Sequence, residues 1–372
     1  MKRLFVDSSV AGSPVAEAIS KKIGILPSLV DGPGPVYRAV SESPDPEAAG
    51  KKVLFLTKNS GTFIKDCPGT SHYTCCGYRI LHIGTYCVMD CSYCILQAYF
   101  HPPVLQFFVN HGEMKKALAL AFEDRQIMRI GTGEYTDSLI WESFYPLSKT
   151  LVPLFASQSS CVLELKSKTT AIKNLLDLEH NRKTIMAWSV NTGRVIHDQE
   201  RGTTSLENRI LTAKTCVSSG YPVAFHFDPM LIYDGCEDEY IFVVDFIFDN
   251  IPADEIVWIS MGAFRFMPLL KPILERRFPA SRIVYNEFVR GIDSKMRYFK
   301  PLRMRLYRSV IDRIRKRAPD VCVYFCMEDE EVWEKTMGFS PAVHGGLARM
   351  LDVSAKKHCG LSGRFRPGPI SY

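Results

Sequence analysis

Cys87-Val-Met-Asp-Cys91-Ser-Tyr-Cys94 sets three cysteines at CxxxCxxC spacing within eight residues. It follows directly on Tyr78-Arg-Ile-Leu-His-Ile-Gly84, an apolar run that reads as a short strand ending at a glycine. Three thiolates on one loop hold three irons of a four-iron four-sulfur cluster, and no fourth cysteine follows at the close spacing of ferredoxin-type runs. One iron is then left without a protein ligand and open to a substrate or cofactor. The competing readings are a zinc knuckle and three buried thiols. Zinc favours CxxC pairs and four ligands, and three cysteines in eight residues seldom reflect packing alone.

Working outward, apolar strand-like runs recur at Ile127-Met-Arg-Ile, Cys161-Val-Leu-Glu-Leu, Ile185-Met-Ala-Trp-Ser-Val, Val223-Ala-Phe-His-Phe and Ile256-Val-Trp-Ile-Ser. Between them lie amphipathic stretches such as Leu206 to Ser219, with Ser205 as N-cap and Gly220 as C-cap. Alternation of this kind builds successive βα units around a parallel sheet. About six units fit, which predicts an α/β fold with a partial (βα)6 TIM-type barrel whose chemistry gathers at the C-terminal ends of the strands. Residues 1–50 read as a small N-terminal lobe and linker, broken by Asp31-Gly-Pro-Gly-Pro and Ser43-Pro-Asp-Pro. The barrel is expected over 51–265, a basic C-terminal extension over 266–340, and a flexible Gly/Pro-rich tail over 341–372.

The 372 residues carry twelve cysteines, and without a signal-like start these read as thiols of a cytoplasmic protein. No apolar stretch nears the roughly 18 residues of a spanning helix, so no membrane is expected. The net charge is +6, but sixteen Lys and Arg against four Asp and Glu fall between 265 and 317, leaving the remainder acidic. That asymmetry points to a polyanion, DNA above all, with cations and aromatics interleaved at Arg290, Lys295, Arg297, Tyr298, Lys300, Arg303 and Arg305. A solvated helix face is the plain reading of Arg308 to Arg317.

Polar residues cluster at the expected strand ends. Gly131-Thr-Gly-Glu134 ends the second, Lys166 and Lys168 the third, and Ser189-Val-Asn191 the fourth. The cysteine spacing resembles the cluster motif of the radical S-adenosylmethionine superfamily. Within it, the segments Cys87–Cys94, Lys168, Ser189-Val-Asn191, Arg201-Gly-Thr-Thr-Ser-Leu-Glu-Asn-Arg209 and Gly220-Tyr-Pro-Val-Ala-Phe, with Cys67 upstream, resemble spore photoproduct lyase over roughly residues 53–330. The resemblance implies one 4Fe-4S cluster on Cys87, Cys91 and Cys94. It also implies an S-adenosylmethionine pocket of Glu134, Thr136, Lys168, Ser189 and Asn191, and a radical relay through Tyr93. It further implies a lyase that repairs a thymine photoproduct in DNA, fed by a flavodoxin or ferredoxin, and nothing demands more than a monomer. Glu134 stands where the family carries its hydrogen-donating cysteine, which leaves Tyr93, Tyr135 and Cys161 as replacements. The alternatives are the same radical machinery acting on another lesion or a non-DNA substrate, and a nucleic-acid-binding protein with a structural metal.

Overall fold

A computed structural model describes residues 1–69 and 73–366. Among these, seven parallel strands form a curled sheet: β1 (Arg79–Leu81), β2 (Met128–Gly131), β3 (Cys161–Ser167), β4 (Thr184–Ser189), β5 (Val223–Met230), β6 (Ile256–Ala263) and β7 (Val323–Phe325). Each pairs with the next in chain order, and an antiparallel strand, Ile64–Asp66, closes the β1 edge. The central strands are buried along nearly their whole length, as sheets covered by helices on one face and filled on the other must be. Trp188 and Trp258 are fully buried among these strands. The open barrel of six expected units is therefore present, with β7 added from the segment expected as an extension.

A second sheet runs Ser28–Val30, Arg3–Asp7, Val53–Thr57, Leu105–Phe108, Gly84–Thr85. Strands Val53–Thr57 and Leu105–Phe108, which fall within the span 51–265 expected for the barrel, thus join residues 1–50 instead. One apolar core of Phe5, Val36, Val40, Val53, Phe55 and Val104 spans the expected boundary at residue 50. Two prolines of the supposed linker, Pro35 and Pro46, sit in the first turns of helices Gly34–Ser41 and Pro46–Gly50, where a missing N–H costs nothing. At the other end, residues 347–359 form a helix instead of a tail. Its Leu347, Leu351, Ala355 and Cys359 are buried at a spacing of four, and its Asp352 meets the buried Arg129 of β2 at 2.8 Å. Of the expected tail, residues 367–372 lie outside the described residues. Among the described residues, no helix is long and apolar enough to cross a membrane.

The basic segment also differs from its expected role as an open cationic surface. Ten of its sixteen cations form ion pairs with carboxylates, most of them from elsewhere in the chain. Examples are Arg276 with Glu47, Arg303 with Glu328, Arg305 with Glu237, and Arg313 and Arg317 with Asp245. Arg297 is buried against Asp293 at 2.7 Å and lies over the Tyr73 ring. The segment does contribute a hairpin, Phe288–Arg290 paired with Met296–Tyr298, which adds to Arg265–Phe266 just past β6.

Candidate active site

The cysteine loop leaves the barrel after β1 and is pinned by side chains distant in sequence. Lys51 Nζ donates to the carbonyls of Cys87 (3.1 Å) and Met89 (2.5 Å), and Gln97 donates to those of Cys91 and Ser92. Arg277 pairs with Asp90 at 2.9 Å while also gripping Gln97 and Asp45. Residues Asp90–Cys91 pair antiparallel with Glu200–Arg201. A charge-assisted hydrogen bond of this kind contributes about 1.5–3 kcal/mol, so the loop's shape is set before any cofactor arrives. Arg277→Ala should therefore reduce iron retention by roughly 10–100-fold, the usual cost of losing an outer partner of a metal site. Iron analysis after desalting checks this.

Cys87 and Cys91 are buried and Cys94 is partly buried. Burial, then the Asp137 carboxylate, pushes the Cys87 thiol up to about 12, and burial with Glu200 holds Cys91 well above the ordinary thiol range. Among the described residues no three His, Cys, Asp or Glu side chains are gathered as ligands of a single ion. The three loop thiols instead border one cavity of about 510 Å3, with Cys91 in the field of both others. Thiols spread around a shared space suit a multi-iron cluster, and binding one would release the protons that burial retains.

The loop after β2 forms the adjoining wall. Gly131 and Gly133 are required there: a Cβ on Gly131 would lie 1.6 Å from the Tyr78 hydroxyl, and one on Gly133 2.9 Å from Lys166 Cβ. Glu134 Oε1 meets Lys166 Nζ at 2.5 Å, and both line the cavity. Thr136 is buried beside them. Asp137 accepts from the Leu139 and Lys168 amides and the Ser167 hydroxyl, each at 2.9 Å. Burial nonetheless outweighs these bonds and raises its carboxyl. Lys168 Nζ lies 5.8 Å from the centre of the Tyr93 ring, and Ser189 completes this side.

Tyr93 donates its hydroxyl to Glu200, and Glu200 pairs with Arg209 at 2.5 Å, with both members of that ion pair almost wholly buried. Burial opposes the Glu200 charge, but Lys168 and Arg209 outweigh it and hold the carboxyl below its ordinary range. Deeper in the barrel, Glu164 on β3 meets His226 on β5 at 2.8 Å and Trp258 at 3.2 Å. Against the cost of burial, His226 brings the Glu164 carboxyl down to about 2.

Cys87, Cys91, Cys94, Tyr93, Glu134, Thr136, Lys168 and Ser189 thus border one cavity. Asn191 does not join them. Its carboxamide donates to the Pro229 carbonyl (2.8 Å) and accepts from Tyr240 (2.7 Å), tying β4 to β5. Cys161 begins β3, opposite Met128 at the strands' N-terminal end, away from the chemistry. Asp137, Glu164, Glu200, Arg209 and His226 escaped the sequence reading as site residues, as did the cavity thiol Cys326.

A family model described as "Spore photoproduct lyase" matches residues 71–302. The spore photoproduct lyase of Bacillus subtilis is 26% identical over 209 residues, 55% of this chain and 61% of that protein. That of Clostridium acetobutylicum is 24% identical over 244 residues, 65% of this chain and 70% of that protein. The chain thus aligns with somewhat less than two thirds of the Bacillus protein's length. A solved spore photoproduct lyase mutant with bound AdoMet and dinucleoside spore photoproduct superposes with a TM-score of 0.76 at 20% identity, covering 87% of this chain and 98% of that one. The shared architecture is the curled half-barrel described above.

Proposed function

The chain belongs to the spore photoproduct lyase family, and from that premise we propose that it is a radical S-adenosylmethionine lyase that reverses a thymine photoproduct in DNA. The observation that carries this reading is that the three loop cysteines open onto the same cavity as the strand-end residues Glu134, Thr136, Lys168 and Ser189. When bound, the cluster and S-adenosylmethionine supply one electron and a primary carbon radical. Cys87, Cys91 and Cys94 are the ligands, and the electron comes from a flavodoxin- or ferredoxin-type donor. Lys168, facing Tyr93 and in the field of Asp137 and Glu200, is placed to pair with a carboxylate such as the methionyl one. Glu134 and Thr136 offer acceptors for the methionyl ammonium. Glu200 orients the Tyr93 hydroxyl and can take its proton during a hydrogen transfer.

The hairpin after β6 is the proposed DNA contact. Lys295, in the turn before its second strand, lines the cavity, while Val289, Ile292 and Arg290 project into solvent. Apolar residues beside a cation suit insertion into an unstacked base step with a phosphate held alongside. Arg290 has no carboxylate partner among the described residues and bonds only Ser294 (3.2 Å). Arg290→Ala should weaken duplex binding several-fold and lower the salt slope by about one unit. Anisotropy titrations from low to moderate salt read both.

A second reading keeps the radical machinery and changes the substrate. It draws on the ion-paired state of the basic segment and on the charged pairs Glu134–Lys166, Glu164–His226 and Asp228–Arg265 along the cavity. The deciding experiment is anaerobic reconstitution, dithionite reduction and incubation with S-adenosylmethionine and a thymine-adduct oligonucleotide. Deoxyadenosine with repaired thymines supports the lyase. Deoxyadenosine without repair favours the second reading, and neither product in protein with a full iron complement rejects both.

A further inference from the structure

Cys67, Cys76 and Cys326 line the cavity separately from the cysteine loop. They gather where the two edges of the curled sheet approach each other. Cys67 donates its amide to the Tyr78 carbonyl beside β1 (3.1 Å), and Thr74 donates to the Glu328 carbonyl past β7 (3.3 Å). Cys326 is the first residue beyond β7, with its amide held by the Met261 carbonyl of β6 at 2.9 Å. Its Sγ accepts from Arg265 Nη2 at 3.3 Å, and Arg265 is itself steadied by Asp228 at 3.5 Å. All three thiols line the cavity that Glu134 also lines.

Breaking the bond between two joined thymines leaves a carbon radical, which becomes a closed-shell product only by gaining a hydrogen atom. Glu134 is unsuited to giving one: its Oε1 accepts from Lys166 Nζ at 2.5 Å, and a carboxyl group holds its hydrogen in a very strong O–H bond. Tyr93 already donates its O–H to Glu200. A thiol has a weak S–H bond, comparable to a phenol O–H and far weaker than a carboxyl O–H, and can give a hydrogen atom while it stays protonated. Burial first, against the opposing pull of Arg265, pushes the Cys326 thiol up to about 12. Arg265 occupies a sulfur lone pair and leaves the S–H hydrogen free to point elsewhere. Of the three thiols, Cys326 is the one fixed at a barrel strand end with a charged group orienting its sulfur, and hydrogen transfer rewards such fixed placement.

We propose that Cys326 is the hydrogen-atom donor that closes the substrate radical in this chain. The assignment rests on the lyase reading of the cavity. In the step a C–H bond forms on the substrate, the S–H bond breaks homolytically, and a neutral thiyl remains. One electron from the reductant that feeds the cluster and one proton from solvent restore the thiol.

The test runs repair of the thymine-adduct oligonucleotide in D2O, with mass analysis of the thymines and parallel assay of 5′-deoxyadenosine and iron. The wild-type enzyme should place one solvent deuterium in each repaired product. Cys326→Ala and Cys326→Ser should keep their iron and still form 5′-deoxyadenosine, while deuterated repair product falls roughly tenfold or more. If either variant repairs with wild-type yield and deuterium content, or if Cys67→Ser or Cys76→Ser abolishes the deuterium instead, the assignment is overturned. Wild-type protein that forms 5′-deoxyadenosine without consuming the adduct rejects the lyase reading itself, and the donor role with it.

Discussion

Cys91→Ala should leave the reconstituted protein with background iron and cut 5′-deoxyadenosine formation by on the order of 10³-fold or more, beyond the 10–100-fold typical of an outer partner. The argument is positional. Cys91 is the middle thiol of the loop, in the field of both Cys87 and Cys94, and is buried where water cannot easily replace it as a ligand. The backbone around it depends little on the sulfur: its carbonyl is held by Gln97, and its segment pairs with Glu200–Arg201. The variant should therefore fold, with circular dichroism unchanged, so that lost iron reports on ligation. Cys161→Ala is the matching control, because that thiol lies at the far end of β3. It should keep both its iron and its 5′-deoxyadenosine yield. If Cys91→Ala instead retained iron and activity, the loop would not be the cluster site.

The cysteine loop at the end of the first barrel strand was legible in the sequence because the spacing of cysteines on one loop is local information. So were the barrel strands, whose apolar runs have the length and spacing of βα units, and Gly131-Thr-Gly-Glu134, whose glycines do sit where backbone and side chain crowd together. What sequence concealed is pairing across distance. The charge of Arg277 is obvious in a basic stretch, but that it clamps Asp90 across 187 positions is not. The same holds for the carboxylates that neutralise most of the basic segment. Cys326 was hidden because β7 lies after a long helix and a hairpin, in a stretch whose charge masked a three-residue strand. Asn191 illustrates the converse. A short polar residue at a strand end looks the same whether it binds a ligand or ties two strands, and here Tyr240 and Pro229 take up its carboxamide. The C-terminal helix was within reach: Leu347, Leu351, Ala355 and Cys359 repeat at a helical interval that the nearby glycines and basic residues obscured.

Arg209→Met should destabilise the fold by about 3–5 kcal/mol, the cost of removing one partner from a buried ion pair. Arg209 is fully buried and makes five hydrogen bonds to four acceptors: Glu200, the Ser189 and Thr204 carbonyls, and the Thr203 hydroxyl, with the Thr204 carbonyl contacted by both its Nε and Nη2. Without it, Glu200 keeps its charge in the interior with only Tyr93, Lys168 and Thr203 to offset it. Glu200→Gln should cost less alone, since the amide still reaches Tyr93. The double variant should be more stable than the sum of the two losses predicts, because no uncompensated carboxylate remains. Anaerobic urea unfolding of the four proteins gives this cycle, and strict additivity would show that the pair is not energetically coupled. The sign of the pH effect follows from the lowered Glu200 carboxyl. Its stabilisation is present above the ordinary carboxylate range and is lost as pH falls through the lowered value, so the wild-type advantage over the double variant should shrink on acidification. Because Glu200 also holds the Tyr93 hydroxyl, Glu200→Gln should slow turnover more than it weakens binding, which would tie the stability of this buried pair to the radical relay proposed for Tyr93 beside the cysteine loop.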